Sequence, residues 1–113
     1  MISKNEAVLR DANKALAIGN YEQFLSHCTD DTSWNFVGDQ TLHGKESVRT
    51  YMNENYIEPP IFDVENMISQ DEFVIAIGKI QLKNSQGQSQ EYAYCDVWEF
   101  SNGKMCKLKA FVI

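Results

Sequence analysis

Pro59-Pro60 divides this chain between two hydrophobic periods. Before the pair, apolar residues recur every three or four positions; after it they alternate. Proline has no amide hydrogen to donate, and its ring clashes with the preceding helical turn, so no helix crosses this point. Helices gathered ahead of the break and strands after it make an α+β domain.

The helical side opens on Ser3-Lys4-Asn5-Glu6, a capping-box pattern in which Ser3 and Glu6 satisfy orphan N–H groups reciprocally. Val8, Ala12, Ala15 and Leu16 follow at helical spacing, and Gly19 ends the run. Asn20 caps a second helix from Tyr21 to about Cys28, with Phe24, Leu25 and Cys28 inward, and Asp30-Asp31 breaks it. Thr32 to Val37 reads as a strand and Gly38-Asp39-Gln40 as a turn. A third helix spans Gly44 to about Asn55 and buries Val48, Tyr51 and Met52.

Beyond the prolines, strands are expected over Ile61 to Ile68, Glu72 to Lys83, Gln90 to Phe100 and Met105 to Val112. The expected order is α-α-β-α-β-β-β-β: three helices packed on a strongly curved antiparallel sheet, in one domain over residues 1–113. Glu72 to Lys83 is apolar on both faces from Phe73 to Ile77, as in a strand covered on both sides.

The turn after Phe100 decides which side chains share a face. A two-residue Asn102-Gly103 turn sets Asp96 opposite Lys109. A three-residue loop with Gly103 left-handed sets Asp96 opposite Leu108 and brings Cys106, Leu108, Ala110 and Val112 to the Asp96 face. The second reading is preferred, because it keeps Lys107 and Lys109 out of the interior. The interior face then holds Tyr94, Asp96, Trp98, Phe100, Leu108 and Ala110, joined by Trp34 and Phe36. Burial among these aromatics raises the pKa of Asp96 and favours its neutral, hydrogen-bond-donating form. Such a carboxyl is a candidate acid, base or oxyanion donor; the alternative places it at a solvated rim or against a structural hydrogen-bond partner.

Charge and motifs narrow the classes. A net charge of −6 argues against nucleic acid, and no apolar run approaches the roughly 20 residues of a spanning helix. The opening residues lack a signal-peptide core, and Cys28, Cys95 and Cys106 are odd in number without metal-ligand spacing. A reducing cytoplasm is therefore expected. His27 and His43 are not spaced as a ligand pair, so no metal is expected, and no glycine-rich phosphate loop suggests a cofactor. His27 reads as a helix-end cap or surface residue. His43 precedes Gly44 at a helix start, as a plain turn residue or a base at a pocket rim. Tyr51 and Tyr56 read as packing residues able to reach a pocket mouth. Lys79 either approaches Asp96 and Tyr94 or extends to water.

The element order, together with Gly19-Asn20-Tyr21-Glu22, Thr29-Asp30-Asp31-Thr32, His43-Gly44-Lys45-Glu46 and the run Tyr94-Cys95-Asp96-Val97-Trp98-Glu99-Phe100-Ser101-Asn102-Gly103-Lys104-Met105, resembles the NTF2-like superfamily over essentially the whole chain. Within it the chain is most similar to SnoaL-like and ketosteroid-isomerase-like proteins. The resemblance implies a cystatin-like cone, a bent sheet around a hydrophobic cavity closed by the helices. It also implies a homodimer through the convex sheet face, near Ala93, Cys95, Val97, Lys107, Lys109 and Phe111. Asp96 falls on the position of the ketosteroid isomerases' protonated aspartic acid. Their general base falls on Phe36, their oxyanion tyrosine on Ala12, and two supporting tyrosines near Cys28 and Met52. A phenyl ring shuttles no proton, so ketosteroid isomerase activity is rejected.

The expected function is binding of a small apolar or aromatic ligand, without cofactor, in a pocket of Trp34, Phe36, Tyr51, Met52, Trp98, Leu108 and Ala110. The alternatives are cofactor-independent cyclase- or isomerase-like acid–base chemistry through Asp96, aided by Tyr94 or His43, and a non-catalytic interaction module with a filled core.

Overall fold

The computed structural model describes residues 2–113. Helix α1 (Lys4–Ala17) starts where the Ser3 hydroxyl accepts the Glu6 amide, and its Leu9, Ala12, Ala15 and Leu16 are buried. The capping box is half made: the Glu6 carboxylate pairs with Arg10, one turn on. Helix α2 (Tyr21–Leu25) is capped by Asn20, whose side chain accepts the Gln23 amide. It ends before Cys28, which instead begins β1 (Cys28–Phe36). Strand β2 (Gln40–His43) and helix α3 (Lys45–Asn55) follow. The rest is β3 (Ile61–Gln70), β4 (Phe73–Lys83), β5 (Ser89–Ser101) and β6 (Lys104–Val112).

The six strands form one curved, unclosed sheet in the order β2-β1-β6-β5-β4-β3, and the expected α+β cone is what the chain builds. Two details differ from the expectation. Strand β2 is additional, because four residues with a single half-buried apolar side chain, Leu42, are too short to show alternation. The sheet is also not wholly antiparallel, since β1 runs parallel to β6.

The last hairpin corrects the sequence reading in an instructive way. Ser101 pairs with Lys104, so the turn is the two-residue Asn102-Gly103, both residues at positive φ (52° and 80°). The ladder then slips by one between Glu99 and Phe100, where Cys106 is the extra residue. Asp96 therefore faces Ala110, neither Leu108 nor Lys109. The bulge keeps Leu108 and Ala110 buried with Lys107 and Lys109 exposed, but Met105 goes inward. Cys106 leaves the Asp96 face, and its thiol lies 3.4 Å from the Glu99 carbonyl oxygen.

Register then places the inner face in rows. One row reads Leu42, Trp34, Leu108, Trp98, Val74; the next reads Phe36, Ala110, Asp96, Ala76, Met67. A third reads Val112, Tyr94, Gly78, Val64. Gly78 sits opposite the bulge at Glu65 in β3, where an added Cβ would lie 2.0 Å from the Asp63 carbonyl oxygen. Among the described residues no helix is long and apolar enough to cross a membrane.

Candidate functional site

The sheet rows, α1 and α2 enclose a cavity of about 60 Å³. Trp34 and Trp98 meet edge to face at 5.7 Å, and Phe24 from α2 packs against both. Phe36 touches Trp34, and Phe62 from β3 lies edge-on to Tyr94 at 5.3 Å. Leu108 and Ala110 from β6 complete the wall, with Asn13 and Leu16 of α1 opposite. Large aromatic rings fill most of the cone. The remaining space is about two waters' share of liquid volume, well below the roughly 300 Å³ of a drug-sized site.

Asp96 is the single charged group in that lining. It sits mid-strand between Ala110 and Ala76, among aromatic rings. Burial pushes its carboxyl up to about 7, and no opposite charge or hydrogen bond offsets the effect. Near neutrality the acid and carboxylate forms therefore coexist, so one group can either donate or accept a proton.

Besides Asn13, three further polar groups line the cavity as donors. Burial, then the Asp96 charge, pushes the Tyr94 hydroxyl up. Burial, then Tyr51 and Asp96, does the same for Tyr56. Both hydroxyls stay protonated at any physiological pH. The Tyr94 hydroxyl and the Trp34 indole N–H are buried with no hydrogen-bond partner. Native interiors seldom leave such groups unpaired, and an indole N–H can only donate.

Seven of the expected site residues thus converge on one cavity: Trp34, Phe36, Tyr94, Asp96, Trp98, Leu108 and Ala110. Three do not. His43 is exposed at the end of β2 opposite Ser33, one residue out of phase with the inward Leu42. Met52 is wholly buried in the core beneath α3, away from the lining. Tyr51 lines an adjoining recess of about 260 Å³, with its ring 5.0 Å from Phe36 and Asp39 at the edge. Burial, then Asp39, raises its hydroxyl pKa. Lys79 points outward, 3.8 Å from Glu91. His27 lies just past the end of α2, as expected, and is half-buried; its Nε2 is buried and unpartnered.

Sequence reasoning left Asn13, Leu16, Phe24, Phe62 and Ile80 out of the pocket, and gave Val112 only as a residue of the Asp96 face. Alternation does mark Phe62 and Ile80 as each facing one way, but which way depends on strand order. Among the described residues no group of three His, Cys, Asp or Glu side chains is placed to hold a metal ion. Cys28 is buried, which pushes its thiol up to about 12, out of the range of a reactive thiolate.

A cone of this topology with an acid in its aromatic interior defines an NTF2-like protein. The family model of the SnoaL-like domain (SnoaL_2) matches residues 9–108, and the chain belongs to that family. No curated protein matches the sequence. Solved structures share the fold at low identity. An NTF2-like protein of unknown function from Burkholderia pseudomallei K96243 is 18% identical (TM-score 0.88, covering 99% of this chain and 92% of that one). A SnoaL-like protein assigned as a candidate polyketide cyclase from Shewanella putrefaciens CN-32 is 11% identical (TM-score 0.87, covering 99% and 91%). An epoxide hydrolase of the LEH-like type from M. tuberculosis is 13% identical (TM-score 0.87, covering 97% and 83%).

Proposed function

We propose that this protein binds a small, largely apolar molecule carrying one hydrogen-bonding oxygen, and that Asp96 recognises that oxygen. The carrying observation is a lone carboxyl, raised to about 7 by burial, in a cavity of aromatic side chains. The unpartnered Trp34 N–H and Tyr94 hydroxyl are further donors for an acceptor atom. The test is the melting temperature of wild type and Asp96→Asn against steroid-like, polyketide-like and phenolic compounds. A ligand at a hundredfold excess over its Kd stabilises the fold by about 2.7 kcal/mol. Stabilisation that weakens in Asp96→Asn supports the reading. No stabilisation by any compound, with the variant as stable as the parent, favours an interaction module with a filled core.

A second reading rests on the same carboxyl. A group with both forms present near neutrality suits cofactor-independent proton transfer, and the Tyr94 hydroxyl is placed to polarise a carbonyl. Relatives of this fold include an epoxide hydrolase and a candidate cyclase. On this reading Asp96→Asn abolishes turnover and leaves ligand affinity intact.

We further infer that the chain pairs with a second copy through the outer sheet face. There Ile68, Phe73 and Phe111 are 53%, 44% and 41% exposed, beside the half-buried Ile75, Ile77 and Val97. Contiguous apolar surface of this kind marks an interaction site.

A further inference from the structure

The cavity has a second neighbour besides the recess at Tyr51. A groove of about 370 Å³ runs along the outside between α1 and β3, floored by Phe62, Val64 and Met67. Asn13 and Phe62 line both the groove and the cavity, so these two side chains form the partition between them. The groove's other wall carries Arg10 and Lys14, one turn apart on α1, and none of its lining residues is acidic. Arg10 is partly neutralised by Glu6, whereas Lys14 makes no ion pair among the described residues. The recess at Tyr51, which shares Phe36, Tyr56, Ile80, Ala110 and Val112 with the cavity, instead carries Asp39. The two hollows that border the cavity thus differ in the charge of their lining, on a chain whose net charge is −6.

Size gives the groove a role. The cavity alone is too small for more than a few atoms, while the groove's volume reaches the lower end of small-molecule sites. A molecule larger than the cavity that presents an oxygen to Asp96 must displace part of the wall, at Asn13 and Phe62 toward the groove or at the side of the recess, and the charge of its outer end decides between them. We propose that the ligand lies through the α1–β3 groove and is an oxo or hydroxy carboxylic acid: its neutral oxygen at Asp96, its apolar span past Phe62, its carboxylate at Arg10 and Lys14. This rests on the ligand-binding reading above and adds the charged end. Asn13, at the partition, can donate to or accept from the span's polar atoms.

The test uses penultimate-oxo fatty acids of six to ten carbons and their methyl esters. Both keep the ketone and chain, and only the acids carry charge. Tryptophan emission reports occupancy directly, since Trp34 and Trp98, the chain's two tryptophans, line the cavity. The acid of best length should bind roughly five- to tenfold tighter than its ester at low salt, the span expected of two exposed ion pairs. Arg10→Gln/Lys14→Gln should erase that preference and leave ester affinity unchanged. Lys107→Gln/Lys109→Gln, an equal charge change on the outer face, should preserve it. Equal binding of acid and ester overturns the proposal while leaving the ligand-binding reading standing. So does a preference that survives Arg10→Gln/Lys14→Gln, or one lost equally in Lys107→Gln/Lys109→Gln. If neither acid nor ester alters the emission, the proposal falls, and the ligand-binding reading is decided separately by the compound panel above.

Discussion

At the scale of single residues, Asp96 and Gly78 are where this chain departs most from ordinary strand chemistry. Asp96 is an acid whose folded pKa, about 7, exceeds its ordinary value of 3.8. Between those values the folded state holds a proton that the unfolded state has released. Stability therefore falls as pH rises from about 4 to 7, and the penalty is then constant. A shift of this size corresponds to a penalty on the order of 4 kcal/mol at most. Urea unfolding of wild type and Asp96→Asn at pH 4.5 and pH 8 checks this: the variant should gain on the parent as pH rises. A difference that does not change with pH would mean that the carboxyl is ionised in the folded state throughout. Gly78 makes a steric prediction. Any Cβ there meets the Asp63 carbonyl oxygen across the β3 bulge, so Gly78→Ala should cost at least about 2 kcal/mol in urea unfolding.

At the scale of elements, the final hairpin carries the sharpest expectation. Asn102 and Gly103 both hold positive φ, which matches the twist of the flanking strands. Gly103→Ala should cost about 1 kcal/mol, read as a lower melting temperature, because an added Cβ is strained in that conformation even though the space is open. Loss of the α1 cap in Ser3→Ala should cost a similar amount, about 1 kcal/mol, and more where the Ser69 hydroxyl loses its 2.6 Å partner. The hairpin also shows what was legible in advance. Asn-Gly announces a two-residue turn, and Lys107 and Lys109 announce an outward face; read alone, each implies a different register. Their conflict is resolved by an extra residue, and nothing in the side chain of Cys106 marks it as the bulge. Helix α1 was readable because a cap, a period and a terminating glycine agree. Strand β2 was not, because its pairing with β1 rather than its composition makes it a strand. For the same reason His43 was misplaced: its direction depends on a register that the sequence leaves silent. Asp96, Tyr94 and the aromatic wall were legible because strict alternation along β5 puts them on one side.

At the scale of the whole molecule, helices cover one face of the sheet, and the other carries an apolar patch among polar and charged residues such as Glu99, Lys107 and Lys109. If a second copy covers the other, Val97→Glu should convert a dimer to a monomer in size-exclusion chromatography with light scattering, with unchanged circular dichroism. A wild type that elutes as a monomer at high concentration would instead leave Ile68, Phe73 and Phe111 open to solvent or to a different protein. Cys106 is a spare letter in the reading frame of β6. Without it Met105 would still oppose Phe100 and Lys107 would still oppose Glu99, so Leu108 and Ala110 would keep facing inward and only the bulge would close. Loss of Lys109 is a true frame error: in the same register Ala110 would oppose Val97 and Phe111 would oppose Asp96, so every side chain beyond that point would change sides.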